Sequence, residues 1–170
     1  MSERSELADK QAIAELVLKY CRAIDRRDFG LLASLYAEDS IDDHGALFTG
    51  SGAEYVEWVP TILEHMLVTS HQVFNHLIAV EGDYAEGEVY IQAYHLTRNS
   101  EGKLVKIIGG GRYLDQYTRR DGQWLFAHRK VVPDYELRLD GADAEEDLLG
   151  DTETGGHGEA DPSTGFFRLL

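Results

Sequence analysis

The chain has 170 residues, with 16 Lys+Arg against 31 Asp+Glu and a formal net charge of -15. Hydrophobic residues make up 43% and charged residues 28%, the balance of one ordinary globular domain that can bury a real core. The acidic excess excludes a nucleic-acid binder, which needs a basic stripe, and argues against docking on an anionic membrane. No apolar run approaches the ~18 residues of a spanning helix, and the opening MSERSELADK lacks a signal-peptide core, so the expected location is the cytoplasm. The single cysteine, Cys21, can form neither an internal disulfide nor a thiolate metal site.

Residues 5–26 predict a helix, with Ser5 as its cap and Leu7, Ile13, Leu16, Val17, Tyr20 and Ile24 at helical spacing. Asp28 caps a second, short helix with Leu31, Leu32, Leu35 and Tyr36 as its apolar stripe. Residues 39–49 read as a short strand and turn. Ser51 to Met66 reads as a third helix, kinked or divided at Pro60. The period then changes. Residues 69–81, 84–98, 103–118 and 123–132 are strand-like, the last two joined by an Arg-Arg-Asp-Gly hairpin turn. Gly109-Gly110-Gly111 inside a strand marks a bulge or bend. Helices first and a long curled antiparallel sheet afterwards predict an α+β fold: a cone-shaped sheet with three helices closing one side.

The body is assigned to residues 1–135 and an acidic, glycine-rich tail to 136–170. From Glu136 to Leu170 there are ten acidic and two basic residues, a net of -8, and six glycines. Such a stretch is expected to be disordered or a loosely attached arm, although Phe166 to Leu170 is apolar enough to dock on the body or on a neighbouring subunit.

Three ionisable residues stand out in apolar surroundings. Asp25 shares a helix flank with Leu18 and Cys21; spacing alone leaves it open to a plain ion pair with Arg22, Arg26 or Arg27. His71 alternates with Val73, Asn75, Leu77 and Ala79, whereas His76 lies on the opposite face with Ile78 and Val80, so the two histidines compete for the interior. His95 continues the Val89, Ile91, Ala93 face. Arg112 and Arg129 alternate with apolar neighbours, which points to a carboxylate or a ligand anion that meets them. There is no zinc-binding spacing, phosphate loop or nucleophile elbow, so no metal and no cofactor is expected. A carboxylate and histidines in an apolar cavity are the minimum equipment for general acid/base chemistry.

Residues 8–36, with YCRAIDRRDFGLLASLYAEDS, then SHQVFNHLI at 70–78 and GGGRYLDQYTRRDGQWLFAHR at 109–129, resemble SnoaL-like proteins of the nuclear transport factor 2-like superfamily. The resemblance covers roughly residues 8–132. It implies a cystatin-like α+β barrel, often dimeric or trimeric, with a deep apolar pocket. Its pattern is similar to the group of scytalone dehydratase, bile-acid dehydratase and hexachlorocyclohexane dehydrochlorinase, in which a helix aspartate holds a histidine base. Asp25 falls on that aspartate and His71 on that histidine, which decides against His76. His95 lies near a second catalytic position, and Arg129 matches an arginine of some dehydrochlorinases. Tyr20, Asn75, Arg112 and Arg129 are the expected substrate contacts. Ile24 stands where scytalone dehydratase has its helix tyrosine, so that particular substrate is not implied.

The expected function is therefore a cofactor-independent lyase that eliminates water from a small, mainly apolar, hydroxylated aromatic or cyclic substrate. Retro-aldol cleavage with release of formaldehyde uses the same groups. A non-catalytic module that binds a small ligand is the alternative from another class.

Overall fold

In the computed structural model of the protein, the described residues are 3–140 and 155–167. Helix α1 spans Glu3–Arg26 and α2 spans Phe29–Ser34. Strand β1 (Tyr36–Asp43) and the short β2 (Thr49–Ser51) precede α3 (Gly52–Leu63). Four long strands follow: β3 (Met66–Glu81), β4 (Tyr84–Arg98), β5 (Leu104–Arg120) and β6 (Gln123–Asp140). A 3-10 turn at Gly158–Ala160 and a short α4 (Pro162–Phe166) end the described chain.

The strands form one curved sheet in the order β2-β1-β6-β5-β4-β3, antiparallel except where β1 runs parallel to β6. The sheet is not closed; β2 and β3 are its edges. Helix α1 lies in its concavity and buries Ile13, Leu16, Val17, Tyr20 and Ile24 against a core that includes Val89, Tyr113, Tyr117 and Phe126. This 3.6-residue stripe meets a period-2 face, so both periodicities find one core.

Local chemistry sets most boundaries. Asp28 accepts Leu31 N–H at 2.9 Å and caps α2, as expected. Ser51 and Glu54 form a reciprocal capping box at the start of α3. Asp121 and Gly122 both take positive φ, +51° and +79°, the pattern of a tight turn between β5 and β6. Several expectations shift. Helix α1 begins at Glu3, so Ser5 lies in its first turn; the Ser5 side chain is outside the described residues. Tyr36 belongs to β1, not to the second helix, and Met66 opens β3 rather than ending α3. Helix α3 continues through Pro60 undivided. Strand β6 runs to Asp140, eight residues beyond the expected 132, because its Tyr135, Leu137 and Leu139 pair with Gly110, Ile108 and Lys106 of β5.

The glycine run does carry a bulge: Gly110 pairs with Tyr135 and Gly111 with Pro133. A Cβ at Gly110 would come within 2.1 Å of the Tyr135 ring, and one at Gly111 within 2.3 Å of the Val132 carbonyl oxygen. At Gly111, where the near atom is backbone, only glycine permits that approach.

Candidate active site

The end of α1 creates the site. Arg27 takes a left-handed φ of +61°, while Asp28 N–H bonds to the Ala23 carbonyl and Arg27 N–H to that of Ile24. This is the termination usually given to glycine, which avoids the Cβ cost of that conformation. The Arg27 guanidinium compensates by donating to the carbonyls of Ile24, Leu63 and Met66 and to Thr69 Oγ1. It thereby ties the helix end to the start of β3.

Two residues before that junction, Asp25 faces β3. Its Oδ2 accepts the His71 backbone N–H at 2.9 Å, and its Oδ1 lies 2.7 Å from His71 Nδ1. A carboxylate there holds the proton on Nδ1 and leaves Nε2 as the basic nitrogen. Nε2 makes no hydrogen bond among the described residues. Burial raises the Asp25 carboxyl, but the His71 ring and backbone hydrogen bonds outweigh it, and the group titrates below its ordinary value. Asp25 makes no ion pair with Arg22, Arg26 or Arg27 among the described residues, although each was a possible partner by spacing.

Leu18, Cys21, Arg22, Asp25, Arg26, His71 and Val73 line a groove of about 280 Å³. Burial pushes the Cys21 thiol up to about 12, so it stays protonated. His95 packs edge-on to His71 with ring centroids 5.6 Å apart. Its Nδ1 is buried without a hydrogen-bond partner, and burial, with His71 as a further cause, lowers its pKa to about 4. The neighbouring floor is small: Ala93 pairs with Gly109, where an added Cβ would meet nothing within 4 Å. Among the described residues no three His, Cys, Asp or Glu side chains cluster as metal ligands.

The other expected site residues lie elsewhere. Arg112 sits among the outward-facing residues of the sheet, with its guanidinium occupied by Glu88 and by both oxygens of Asp134. Arg129 is fully buried: it pairs with Asp115 and stacks among Tyr20, Tyr113 and Phe126 at 4.0–4.1 Å. Tyr20 is buried in that same cluster and bonds Tyr55 Oη at 2.8 Å. Asn75 is exposed, because β3 shifts register between Val73 and His76. That irregularity breaks strict alternation. His71 pairs with Ala93 and His76 with the fully buried Val89, so both histidines face inward. His76 contacts Tyr117 Oη at 3.3 Å, away from Asp25, and burial lowers its pKa.

Sequence reasoning also missed the residues that meet the groove's two arginines. Residues 155–167 return to α1. Arg26 lies 3.4 Å from the Asp161 carboxylate and donates to the Gly156 carbonyl, and Arg22 donates to Ser163 Oγ. The helix flank of Leu18, Cys21 and Asp25 was the available signal for the groove wall; nothing local announced the returning segment. Of the apolar terminus, Phe166 and Phe167 are exposed and pack edge-to-face on each other, while Arg168 to Leu170 lie outside the described residues.

Comparison with known proteins bears on the fold and the family. Residues 5–130 match the SnoaL-like domain. An uncharacterized protein of Mycobacterium tuberculosis, Rv2910c, is 30% identical over 87 residues, 50% of this chain and 59% of that protein; the chain thus spans somewhat over half the length of the curated relatives it matches. A scytalone dehydratase-like protein of Novosphingobium aromaticivorans superposes with a TM-score of 0.72 at 22% identity, over 80% of this chain and 91% of that one. A hexachlorocyclohexane dehydrochlorinase, LinA-type3, of Novosphingobium barchaimii does so with a TM-score of 0.71 at 23% identity, over 81% and 94%. Likeness at these identities carries the fold, and the domain match carries the family: this chain belongs to the SnoaL-like domain family.

Proposed function

We propose that the protein is a cofactor-independent lyase in which His71 is the base and Asp25 orients it. The observation that carries the reading is the two-point bond from Asp25 to His71, which fixes one tautomer and leaves Nε2 as the basic nitrogen of a histidine that lines a groove. Fold likeness to scytalone dehydratase-like and dehydrochlorinase structures supports an elimination, but the site must carry the chemistry.

In the favoured reaction His71 Nε2 takes a proton from carbon. The C–H electron pair becomes the new double bond, the β carbon–oxygen bond breaks, and the imidazolium returns its proton to the departing oxygen as water. Asp25 stabilises the transient imidazolium, as the carboxylate does in other acid–base dyads. His95, neutral because burial holds its pKa near 4, donates an N–H to the leaving oxygen. Positioned acid/base help of this kind supplies about 10²–10⁴-fold in rate. The substrate is small, mainly apolar, hydroxylated, and aromatic or cyclic.

The test is incubation with a panel of hydroxylated aromatics and cyclic alcohols, with mass detection, for the wild type and His71→Ala. Loss of water by the wild type alone supports the dehydratase. Loss of formaldehyde identifies retro-aldol cleavage, in which His71 deprotonates a hydroxyl. Saturable binding without turnover across the panel makes the protein a ligand-binding module.

A further inference from the structure

Two arginines line the groove, and the elimination uses neither. Arg22 and Arg26 are one helical turn apart on α1, beside Asp25 and His71. Arg26 reaches the Asp161 carboxylate through Nε at 3.4 Å, a single long contact. Arg22 sends both Nη groups to one hydroxyl, Ser163 Oγ, at 3.3 Å, and makes no ion pair among the described residues. Arg26 alone therefore touches a carboxylate, by one long contact, and Arg22 touches none, although each has a fork that matches a carboxylate with two parallel bonds.

The resident carboxylate is well fixed. Asp161 is 5% exposed and caps α4; it accepts the N–H groups of Ser163 at 3.0 Å and Gly156 at 2.9 Å, and the Ser163 hydroxyl. Those bonds hold its carboxyl down to about 2, so it is an anion at any ordinary pH. The chain's own fold thus brings a buried anion to Arg26 and a hydroxyl to Arg22. The local charge also opposes the whole. In a chain of net charge -15, two arginines, Arg22 and Arg26, line the groove against one carboxylate, Asp25. Such a local reversal draws negative ligands into a cleft.

We propose that Arg22 and Arg26 form an anion-recognition subsite, that the substrate is a carboxylic acid with its carboxylate on the two guanidiniums and its reacting carbon beside His71, and that Asp161 and Ser163 occupy the subsite until substrate arrives. This rests on the groove being the substrate site of the lyase, and it narrows the substrate class.

The experiment titrates the wild type, Arg22→Gln and Asp161→Asn with benzoate and with its neutral isostere benzamide. Affinity is measured by calorimetry, and the His71 ring resonances report the place of binding. Benzoate should bind about tenfold more tightly than benzamide and shift the His71 ring; each tenfold is one decade in Kd. Arg22→Gln should reduce benzoate to the level of benzamide and leave benzamide unchanged. Asp161→Asn keeps a capping side chain but removes the competing charge, so it should raise benzoate affinity several-fold. Equal affinity for acid and amide, a preference that survives Arg22→Gln, an unmoved His71 ring, or no binding of either at millimolar concentration would overturn the proposal. The readout is binding, so it is separate from the lyase reading. If His71→Ala retains turnover, the mechanism fails and the carboxylate preference stands; if the preference is absent, the elimination can still be observed.

Discussion

Arg129 and Asp115 face each other across β5 and β6 with no exposed surface on either side chain, joined by bonds of 2.8 Å and 2.6 Å. The pair is buried among its ring neighbours, and none of them lines the groove at Asp25 and His71. Arg129 Nη1 has no hydrogen-bond partner; the faces of Tyr20, Tyr113 and Phe126 take that charge instead. Removing one partner strands a buried charge. Asp115→Ala should cost about 3–5 kcal/mol in urea unfolding, and the double change Asp115→Leu with Arg129→Met should recover most of that. A single-variant loss below about 1 kcal/mol would mean that the pair is not closed off from water.

The dyad predicts unequal kinetic roles. His71→Ala should lower kcat by about 10²–10⁴-fold with an unchanged far-ultraviolet spectrum. Asp25→Asn keeps the shape but loses the charge opposite the imidazolium, so kcat should fall while KM changes little. Near wild-type turnover in both variants would send the search to His95.

The direction of the Asp25 shift sets a pH window. Its folded carboxyl titrates below the ordinary value of 3.8, so the stabilisation is complete above the unfolded range and is lost as pH falls through the folded value. The stability gap between the wild type and Asp25→Asn should therefore be full at neutral pH and narrow below about pH 4. A gap that widens on acidification would contradict the sign.

His95 should remain uncharged through the neutral range. Burial brings its pKa to about 4, and its ring resonances should titrate there by NMR. Titration near the ordinary histidine value would show a wetter pocket and would remove the neutral-donor role.

The outward-facing residues of the sheet leave Leu77, Leu114, Tyr135 and Leu137 exposed, and exposed apolar side chains on one sheet face suit a contact between subunits. A dimer or trimer formed over this surface is the expected assembly. Light scattering should report it for the wild type, and Leu114→Lys should shift it toward monomer. A wild type that is monomeric at micromolar concentration would refute this assembly.

The acidic composition, the switch from helical to alternating apolar spacing, the cap at Asp28 and the Asp-Gly turn were legible because each depends on neighbours within a few residues. So was the Asp25 flank with Leu18 and Cys21, since a helix face follows from spacing alone. The register shift after Val73 was not, because an irregular strand is decided by its partner, here Val89 and Ile91 of β4. It brings His76 to the same side as His71 and leaves Asn75 in solvent. Nor could spacing distinguish a ligand-binding arginine from one that neutralises a buried carboxylate: Arg112 meets Asp134 from 22 residues away and Arg129 meets Asp115 from 14. The returning segment that sets Asp161 on Arg26 closes a separation of more than 130 residues, and a contact of that length leaves no periodic trace. Local chemistry determined the elements and the Asp25 face; only tertiary packing decided which histidine meets it, which charges were spent on each other and which remained beside the groove.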